Sequence, residues 1–330
     1  MTFKLWTGNF RYGNEIFFKA KVAKINVEGD LATSVQYHTR GKEYTIKAKH
    51  IIAACDVESL YEKMLPEGTR TPKFLKKLKD AKLYSSAVTL SIALDCTSES
   101  LGFGEEVLYL TRSGITRDEE GSGDPHKCGI HVLAPSVRDK TLAPDSGGTL
   151  TIFAPGYFDD FDRWKTETGE NGEIIRGEAY KKLKQEVADI LLDRIESKLK
   201  VDVRSHIVYL DIATPITHQR YTGNRAGTMM GAKPGKENMQ AKIAHYRTPI
   251  KNLYLGGHWA ELGGGIPIAV RAAVNSSLLL LKKHKKEAFN LLAKYIDREI
   301  ESDELDASEL TSPYSNNWEQ KPTPATKKDS

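Results

Sequence analysis

Five glycines and a proline crowd into the interval from Gly256 to Pro267, GGHWAELGGGIP, and no other interval of this chain suggests chemistry so directly by its spacing. Asn252 to Leu255 is a short apolar run that stops at Gly256 and Gly257, which predicts a buried strand ending in a turn that needs unhindered backbone. Gly263, Gly264 and Gly265 then precede Ile266 and Pro267, and Val270, Ala273, Val274 and Leu278 continue at helical spacing. Proline is favoured at the first helical position because its missing N–H would have had no partner there and its φ is already helical. The expected product is a helix N-terminus bare of side chains, just past the end of a strand. Such an end carries unpaired N–H donors and partial positive charge, so a bulky electron-rich group could approach the backbone. A tight strand-loop-helix corner with no ligand shares the pattern.

Other groupings carry less. Asp124, His126, Cys128 and His131 lie close together, but Gly121, Gly123 and Pro125 mark a loop, and residues on an emerging strand alternate faces, so convergence on a metal is not expected. Gly231–Glu237, GAKPGKE, is one residue short of a phosphate loop, and Glu237 stands where a Ser or Thr would be needed. The sequence contains no Gly-x-Ser-x-Gly elbow and no His-Glu-x-x-His pair.

The elements that would position the glycines are readable in outline. Ile16, Phe18, Ala20 and Val22 alternate with polar neighbours and predict a strand from Glu15, and Ser34–His38 and Glu43–Ala48 flank a hairpin turn at Arg40–Lys42. His50–Cys55 is a continuous apolar run of the kind buried on both faces of a sheet, and Asp56 can cap the helix after it. Residues 69–83 predict a basic amphipathic helix that either packs on its own domain or lies on an anionic membrane surface. Short strands at 86–94, 107–110, 129–133 and 150–153 and a helix over 177–199, striped by Tyr180, Leu183, Val187, Ile190, Leu191 and Ile195, give an α+β layer. A strand over 201–212 follows, and Phe289, Leu292, Tyr295, Ile296 and Ile300 predict one further helix. From Asp303 the chain turns polar and is expected to be disordered.

The Asn252–Lys283 stretch resembles the C-terminal flavin motif of the phytoene desaturase-like FAD oxidoreductases, which include carotenoid desaturases and isomerases and sit beside the amine oxidases. Ala213–Gly231, ATPITHQRYTGNRAGTMMG, resembles the family's segment leading to the flavin, and the strands between Glu15 and Cys55 match as well. The resemblance implies an α/β fold with an α+β insert. Residues 14–65 and 213–283 would form an incomplete FAD/NAD(P)-binding (Rossmann-like) domain, 66–212 a mixed-sheet substrate domain, 284–302 an extra helix and 303–330 a tail. It implies FAD as cofactor and hydride transfer to flavin N5 from a hydrophobic, isoprenoid or lipid, substrate. By the same resemblance the backbone at Val22 meets the adenine, Gly257 and His258 face the ribityl and phosphate side, Gly265, Ile266, Pro267 and Ile268 present the helix end to the pyrimidine edge, and Gly256 and Gly264 also belong to the cofactor-binding set. Tyr221 and Asn224 would lie near the ring. From the residues alone, Val22 is equally a core valine, and Tyr221 and Asn224 belong to a turn. No protein nucleophile or acid–base pair is named by either route.

Two departures qualify what the resemblance implies. The family opens with a strand, a Gly-x-Gly-x-x-Gly turn and a helix that hold the FAD pyrophosphate, and residues 1–60 contain no such turn. The expectation is the C-terminal part of a longer or split enzyme, inactive alone, with a second chain as one source of the missing part. His258 stands where many relatives carry an Asp that contacts the ribityl chain. Absence of the phosphate turn equally fits a non-catalytic binding protein on this scaffold, as in the Rab GDP-dissociation inhibitors.

Composition sets the outer bounds. A length of 330 residues, 39% of them hydrophobic, suffices for one large or two ordinary domains, and a net charge of +4 spread along the chain excludes a nucleic-acid arm. Cys55, Cys96 and Cys128 are far apart and odd in number, which points to a reducing compartment, the cytosol by default. Met1–Lys4 begins no secretory leader pattern, and no apolar run reaches membrane-spanning length, so lipid contact would be peripheral.

Overall fold

Alternation and turn chemistry build the first part of the computed structural model, which describes residues 15–301, 303 and 304. Strands β1 (Lys21–Glu28), β2 (Leu31–Thr39) and β3 (Lys42–Lys47) form an antiparallel meander, followed by β4 (Ile51–Ala53). A short helix capped by the Asp56 carboxylate, which accepts the Ser59 N–H at 2.7 Å, runs into a turn of π-helix over Leu60–Met64. Helix α1 (Pro72–Lys79) starts at Thr71, whose side chain accepts from the Phe74 N–H.

A five-stranded antiparallel sheet comes next, from β5 (Ser86–Leu94), β6 (Leu108–Leu110), β7 (Ile130–Leu133), β8 (Gly148–Gly156) and, beyond the small hairpin β9 (Glu167–Thr168) and β10 (Ile174–Ile175), β11 (Ile207–Ala213). Its order is β11-β5-β8-β7-β6. Helix α2 (Glu178–Leu199) covers one face: Tyr180, Val187, Leu191 and Ile195 of the expected stripe are buried against Leu90, Ile92, Ile130 and Ile152. Helix α3 (Pro215–Thr222) leads away from β11. The chain then returns to β12 (Leu253–Leu255), which pairs in parallel with β4, Leu253 against Ile51 and Leu255 against Ala53. Helices α4 (Ile266–His284) and α5 (Lys286–Ile296) finish the described part. No helix among the described residues is long and apolar enough to cross a membrane.

Two cores result. The larger joins the five-stranded sheet, α2 and Ile216. The smaller gathers residues from both ends of the chain, including Ile25, Leu60, Leu78, Leu253 and Ala272. Buried Asn252 stitches the smaller one: its Oδ1 accepts the Ala32 N–H at 2.8 Å, and its Nδ2 donates to the carbonyls of Ala32 and Lys49. Between the cores, Ser86 Oγ donates to Gly227 O at 2.6 Å and Thr228 Oγ1 to Tyr84 O at 2.8 Å.

Several expectations change. β1 begins at Lys21 rather than Glu15, because Lys19 adopts a left-handed turn (φ 55) and leaves Phe17 and Phe18 exposed. The His50–Cys55 run is not buried on both faces: Ile52 is 42% exposed, since β4 pairs only with β12 among the described residues. Residues 66–81, expected with the substrate domain, send Phe74, Leu75 and Leu78 into the smaller core, so the apolar face of α1 is covered by protein. The strand expected over 201–212 starts only at Ile207, because Arg204 is drawn into ion pairs with Glu196 and Asp193 and Arg204–His206 forms a 3-10 turn. The tail expected from Asp303 lies, apart from Asp303 and Glu304, outside the described residues.

Candidate functional site

Three segments far apart in sequence meet at the edge of the smaller core: 54–59, 223–231 and 256–265. The glycines of the last segment differ in what they accommodate. A Cβ on Gly256 would strike the Ile52 side chain, one on Gly257 would lie 3.2 Å from the Ala54 backbone, and one on Gly264 would strike Met230. Those positions are small because neighbouring chain fills the space. Gly265 is different: its φ of 84° favours glycine, and a Cβ there would meet only Pro267 Cδ at 3.7 Å. It opens α4 with no side-chain cap and no acidic residue in the first turn, so the helix end is bare as expected. Ile266 and Pro267 are exposed and Ile268 is half-buried.

The loop is held firmly to α4. Glu261 accepts from Tyr246 Oη, Arg271 and Asn275, and Ser276 Oγ on α4 donates to Leu255 O at the end of β12. Asn224, buried, donates from Nδ2 to Thr228 O at 3.0 Å and accepts from Trp259 Nε1 at 3.2 Å. Its amide therefore ties the 224–231 segment to the glycine loop. Tyr221 points into solvent, 76% exposed. Val22 lies half-buried on β1, opposite Tyr37, beside a bulge.

Among the described residues, two buried polar atoms in this region lack a protein partner, His258 Nε2 and Asp56 Oδ2. Burial pushes the His258 imidazole below its usual pKa, against an opposing pull from the Asp56 carboxylate. Gly231 closes over the imidazole, Gly223 lies against Asp56, and the Asp56 charge is near enough to act on the imidazole. Buried polar groups are ordinarily bonded, and a pair without partners marks a place where a ligand group can satisfy them. His258 was singled out by the family resemblance; Asp56 was read only as a helix cap, and its free second oxygen has no sequence signal.

Beyond Ser86 the open face of the five-stranded sheet begins. Tyr109, His131, Phe153 and Thr89 stand side by side across β6, β7, β8 and β5, on the face away from α2. His131 stacks on Phe153 (ring centroids 4.4 Å apart, planes 3° apart) and leans on Tyr109 at 4.4 Å. Its Nδ1, Thr89 Oγ1 and His218 Nε2 are further buried atoms without partners among the described residues, and burial lowers the pKa of both imidazoles. The Asp124–His131 group does not converge. Asp124 Oδ1 accepts the His126 N–H at 2.9 Å, Cys128 packs on Arg194, and His131 joins the aromatic line. The sequence reading missed Asp95, Cys96 and His206, which meet at the far end of β5, but there Asp95 and His206 already satisfy each other at 2.8 Å.

Comparison with known proteins finds relatives over most of the chain. The chain is 28% identical over 298 residues to an all-trans-retinol 13,14-reductase of Danio rerio, covering 84% of this chain and 48% of that protein. It is 29% identical over 255 residues to a prolycopene isomerase of Daucus carota (77% and 38%), and 26% over 238 residues to a 4,4'-diapophytoene desaturase of Staphylococcus aureus (69% and 44%). The resemblance to the phytoene desaturase-like oxidoreductases holds. The chain spans about half the length, or less, of these phytoene desaturase-like relatives. Among solved structures, an oxidoreductase from Methanosarcina mazei aligns at 15% identity and a TM-score of 0.49 over 83% of this chain and 52% of its own. No protein-family model matches the chain.

Proposed function

We propose that this chain is the flavin-end and substrate-domain portion of an FAD-dependent oxidoreductase acting on a retinoid- or carotenoid-like polyene. The observation that carries the reading is the corner where His258 Nε2 and Asp56 Oδ2 lie buried without partners, in the segments that also bring the bare end of α4 there. The residues present fit the flavin end of the cofactor. Its ring carbonyls and ribityl hydroxyls are the acceptors and donors that the α4 N–H groups, a neutral imidazole and a carboxylate would satisfy. When bound, FAD supplies hydride acceptance at N5, which no side chain here offers. The chain's own residues position and shield. Asn224 ties the two loops together, Glu261 holds the glycine loop to α4, and the helix end favours an electron-rich edge against it. The Tyr109–His131–Phe153 line gives a flat, half-exposed aromatic surface suited to an extended conjugated substrate. The names of the relatives, which refer to retinol, prolycopene and diapophytoene, support that substrate class.

The parallel pair supports reading the smaller core as part of a Rossmann-like domain. Parallel strands are normally covered on both sides, yet β4 pairs only with β12 among the described residues. Ile52 is exposed, and α4 exposes Ile266, Val270 and Val274 at helical spacing. A further parallel strand carrying the phosphate turn would pair with the free edge of β4. The test supplies that element by co-expressing the chain with the part of the Danio rerio reductase outside the match, then measures flavin per folded protein. Flavin should be retained, and His258→Ala and Gly265→Val should each lower occupancy about tenfold, with folding followed separately by circular dichroism. Full occupancy in both variants would refute the placement.

One observation favours the second reading, a non-catalytic binding protein on this scaffold: the spaces beside Gly256, Gly257 and Gly264 are filled by the chain itself. That reading expects no flavin in the restored protein under any condition.

A further inference from the structure

The end of β5 remote from the glycine corner carries a set of donor atoms that the redox reading does not use. β5 closes at Leu94, opposite Ile207 of β11, and one more backbone bond, from Asp95 N–H to His206 O at 3.0 Å, fixes the two segments just past that pair. There the chain bends, and the bend is pressed against β8 so closely that a Cβ on Gly148 would strike Cys96 O and Ser98 N. Successive residues on a strand point to opposite faces, but the bend brings Asp95 and Cys96 to the same place. One ligand atom from each of Asp95, Cys96 and His206 lies within 4.8 Å of the others.

A thiolate, an imidazole and a carboxylate together are zinc donors, whereas magnesium and calcium take oxygen ligands. Tetrahedral zinc holds such atoms about 3.3–3.6 Å apart. The Asp95–His206 pair, hydrogen-bonded through Nδ1 at 2.8 Å, and a thiol no more than 4.8 Å away bracket that spacing, so side-chain movements of roughly 1 Å suffice. Binding releases the thiol proton, and the imidazole offers whichever nitrogen its remaining proton leaves free.

The surroundings favour a cation. Among the described residues no Lys or Arg lies within ion-pair distance of Asp95 or Asp202, and nearby Arg204 is already engaged by Asp193 and Glu196. Asp202 accepts the Ser205 N–H at 3.1 Å and the Ser205 hydroxyl at 2.6 Å, which fixes the turn that presents His206. Its carboxyl is held below the usual range by those Ser205 bonds first and then by His206 and Arg204, so a second negative charge stands near the same imidazole. The other two thiols have no such company. Burial pushes Cys55 up to about 11, and Cys128 packs on Arg194.

We propose that Asp95, Cys96 and His206 bind a zinc ion that clamps β11 to β5, joining Asp95 and His206 across 111 positions of sequence. The clamp stands at the opposite end of β5 from Ser86 and does not depend on the redox reading above. The experiment uses the reduced full chain, stripped of metal with a chelator and titrated with cobalt(II). A single equivalent should produce a thiolate-to-metal charge-transfer band in the near ultraviolet, and zinc should displace it. Cys96→Ser should abolish the band and Cys55→Ser should keep it, while Asp95→Asn and His206→Gln should each weaken zinc binding about tenfold or more. Excess zinc should raise the melting temperature of the wild type and leave that of Cys96→Ser unchanged. Circular dichroism follows the fold of each metal-free variant, and if Cys96→Ser does not fold, the Asp95→Asn and His206→Gln titrations decide. A wild type without the band, a band that survives in Cys96→Ser, or zinc affinity unchanged in both Asp95→Asn and His206→Gln overturns the site and leaves an ordinary ion pair. Zinc binding with no rise in melting temperature overturns the clamp.

Discussion

The five-stranded sheet and the parallel pair bury their strands by opposite means. β5 and β8 each have two hydrogen-bonded neighbours, and their alternate residues, Leu90, Ile92, Leu150 and Ile152, disappear under α2. β4 and β12 have only three residues each, and in sequence all of the larger core lies between β4 and its one partner strand among the described residues. The first arrangement is closed by its own sequence neighbourhood. The second depends on one buried amide, Asn252, and leaves apolar surface at Ile52, Val270 and Val274. The difference teaches that the proposed substrate-facing layer is self-contained, whereas the proposed cofactor-facing layer is structurally open.

That contrast can be broken. Leu191→Ala should cost about 3–4 kcal/mol, because the side chain is fully buried between α2 and the sheet. Hydrogen exchange in rising urea should report the loss in peptides from β8 and α2, with β4 and β12 peptides less affected. Asn252→Ala should do the reverse at roughly 2–3 kcal/mol, since it leaves the Ala32 N–H and two carbonyls without their partner. Equal shifts in both sets of peptides for both variants would mean one cooperative unit and dissolve the distinction.

Acid sharpens it further. His245, bonded to Tyr61 Oη at 2.8 Å in the smaller core, is driven down from 6.5 to about 4, by burial first and by Arg70 as well, against a hydrogen bond to Ile243 O. A folded pKa below the unfolded one means stability that is complete above pH 6.5 and drains away as pH falls towards 4. Allowing for its partial exposure, the loss should be roughly 2 kcal/mol. His50 and His258 act in the same direction there, as His131 and His218 do in the larger core. The β4 and β12 peptides should therefore lose protection first on acidification, and His245→Phe should flatten the profile. The smallest effect is expected at Gly265→Ala, about 1 kcal/mol from the positive φ alone, since there is room for the methyl group. A melting temperature that falls by much more would show that position 265 is packed.

The parts of this fold readable in the sequence are those set by local period. The Arg40–Gly41 hairpin, the α2 stripe and the strand-glycine-helix corner at 253–268 form where spacing predicts. Features set by distant residues were hidden. Gly256 and Gly257 are small because of Ile52 and Ala54, some two hundred residues earlier, and Gly264 because of Met230. Asn224 was placed near a ring, but its amide is committed to Trp259 and Thr228. Asn252 reads as the first residue of a strand, and nothing local shows that it joins the Ala32 backbone of the meander to the Lys49 carbonyl before β4. Of the site, the bare helix end could be foreseen; the second carboxylate oxygen of Asp56 could not, because burial without a partner is a property of the assembled corner.

The span between β4 and β12 also governs the order in which the chain can fold. Ile51 cannot meet Leu253 until about two hundred further residues exist, and closing a loop of that length is slow and entropically costly. The larger core shortens it. Once β11 lies along β5, with Ala213 opposite Thr89, the two chain ends leaving the sheet are neighbours, and the remaining search is local. During synthesis the five-stranded sheet can therefore assemble as each strand emerges, while the meander and β4 wait with their apolar faces unpaired. Chaperone contact should concentrate on that early segment, residues 21–53, and persist until Leu255 has left the ribosome.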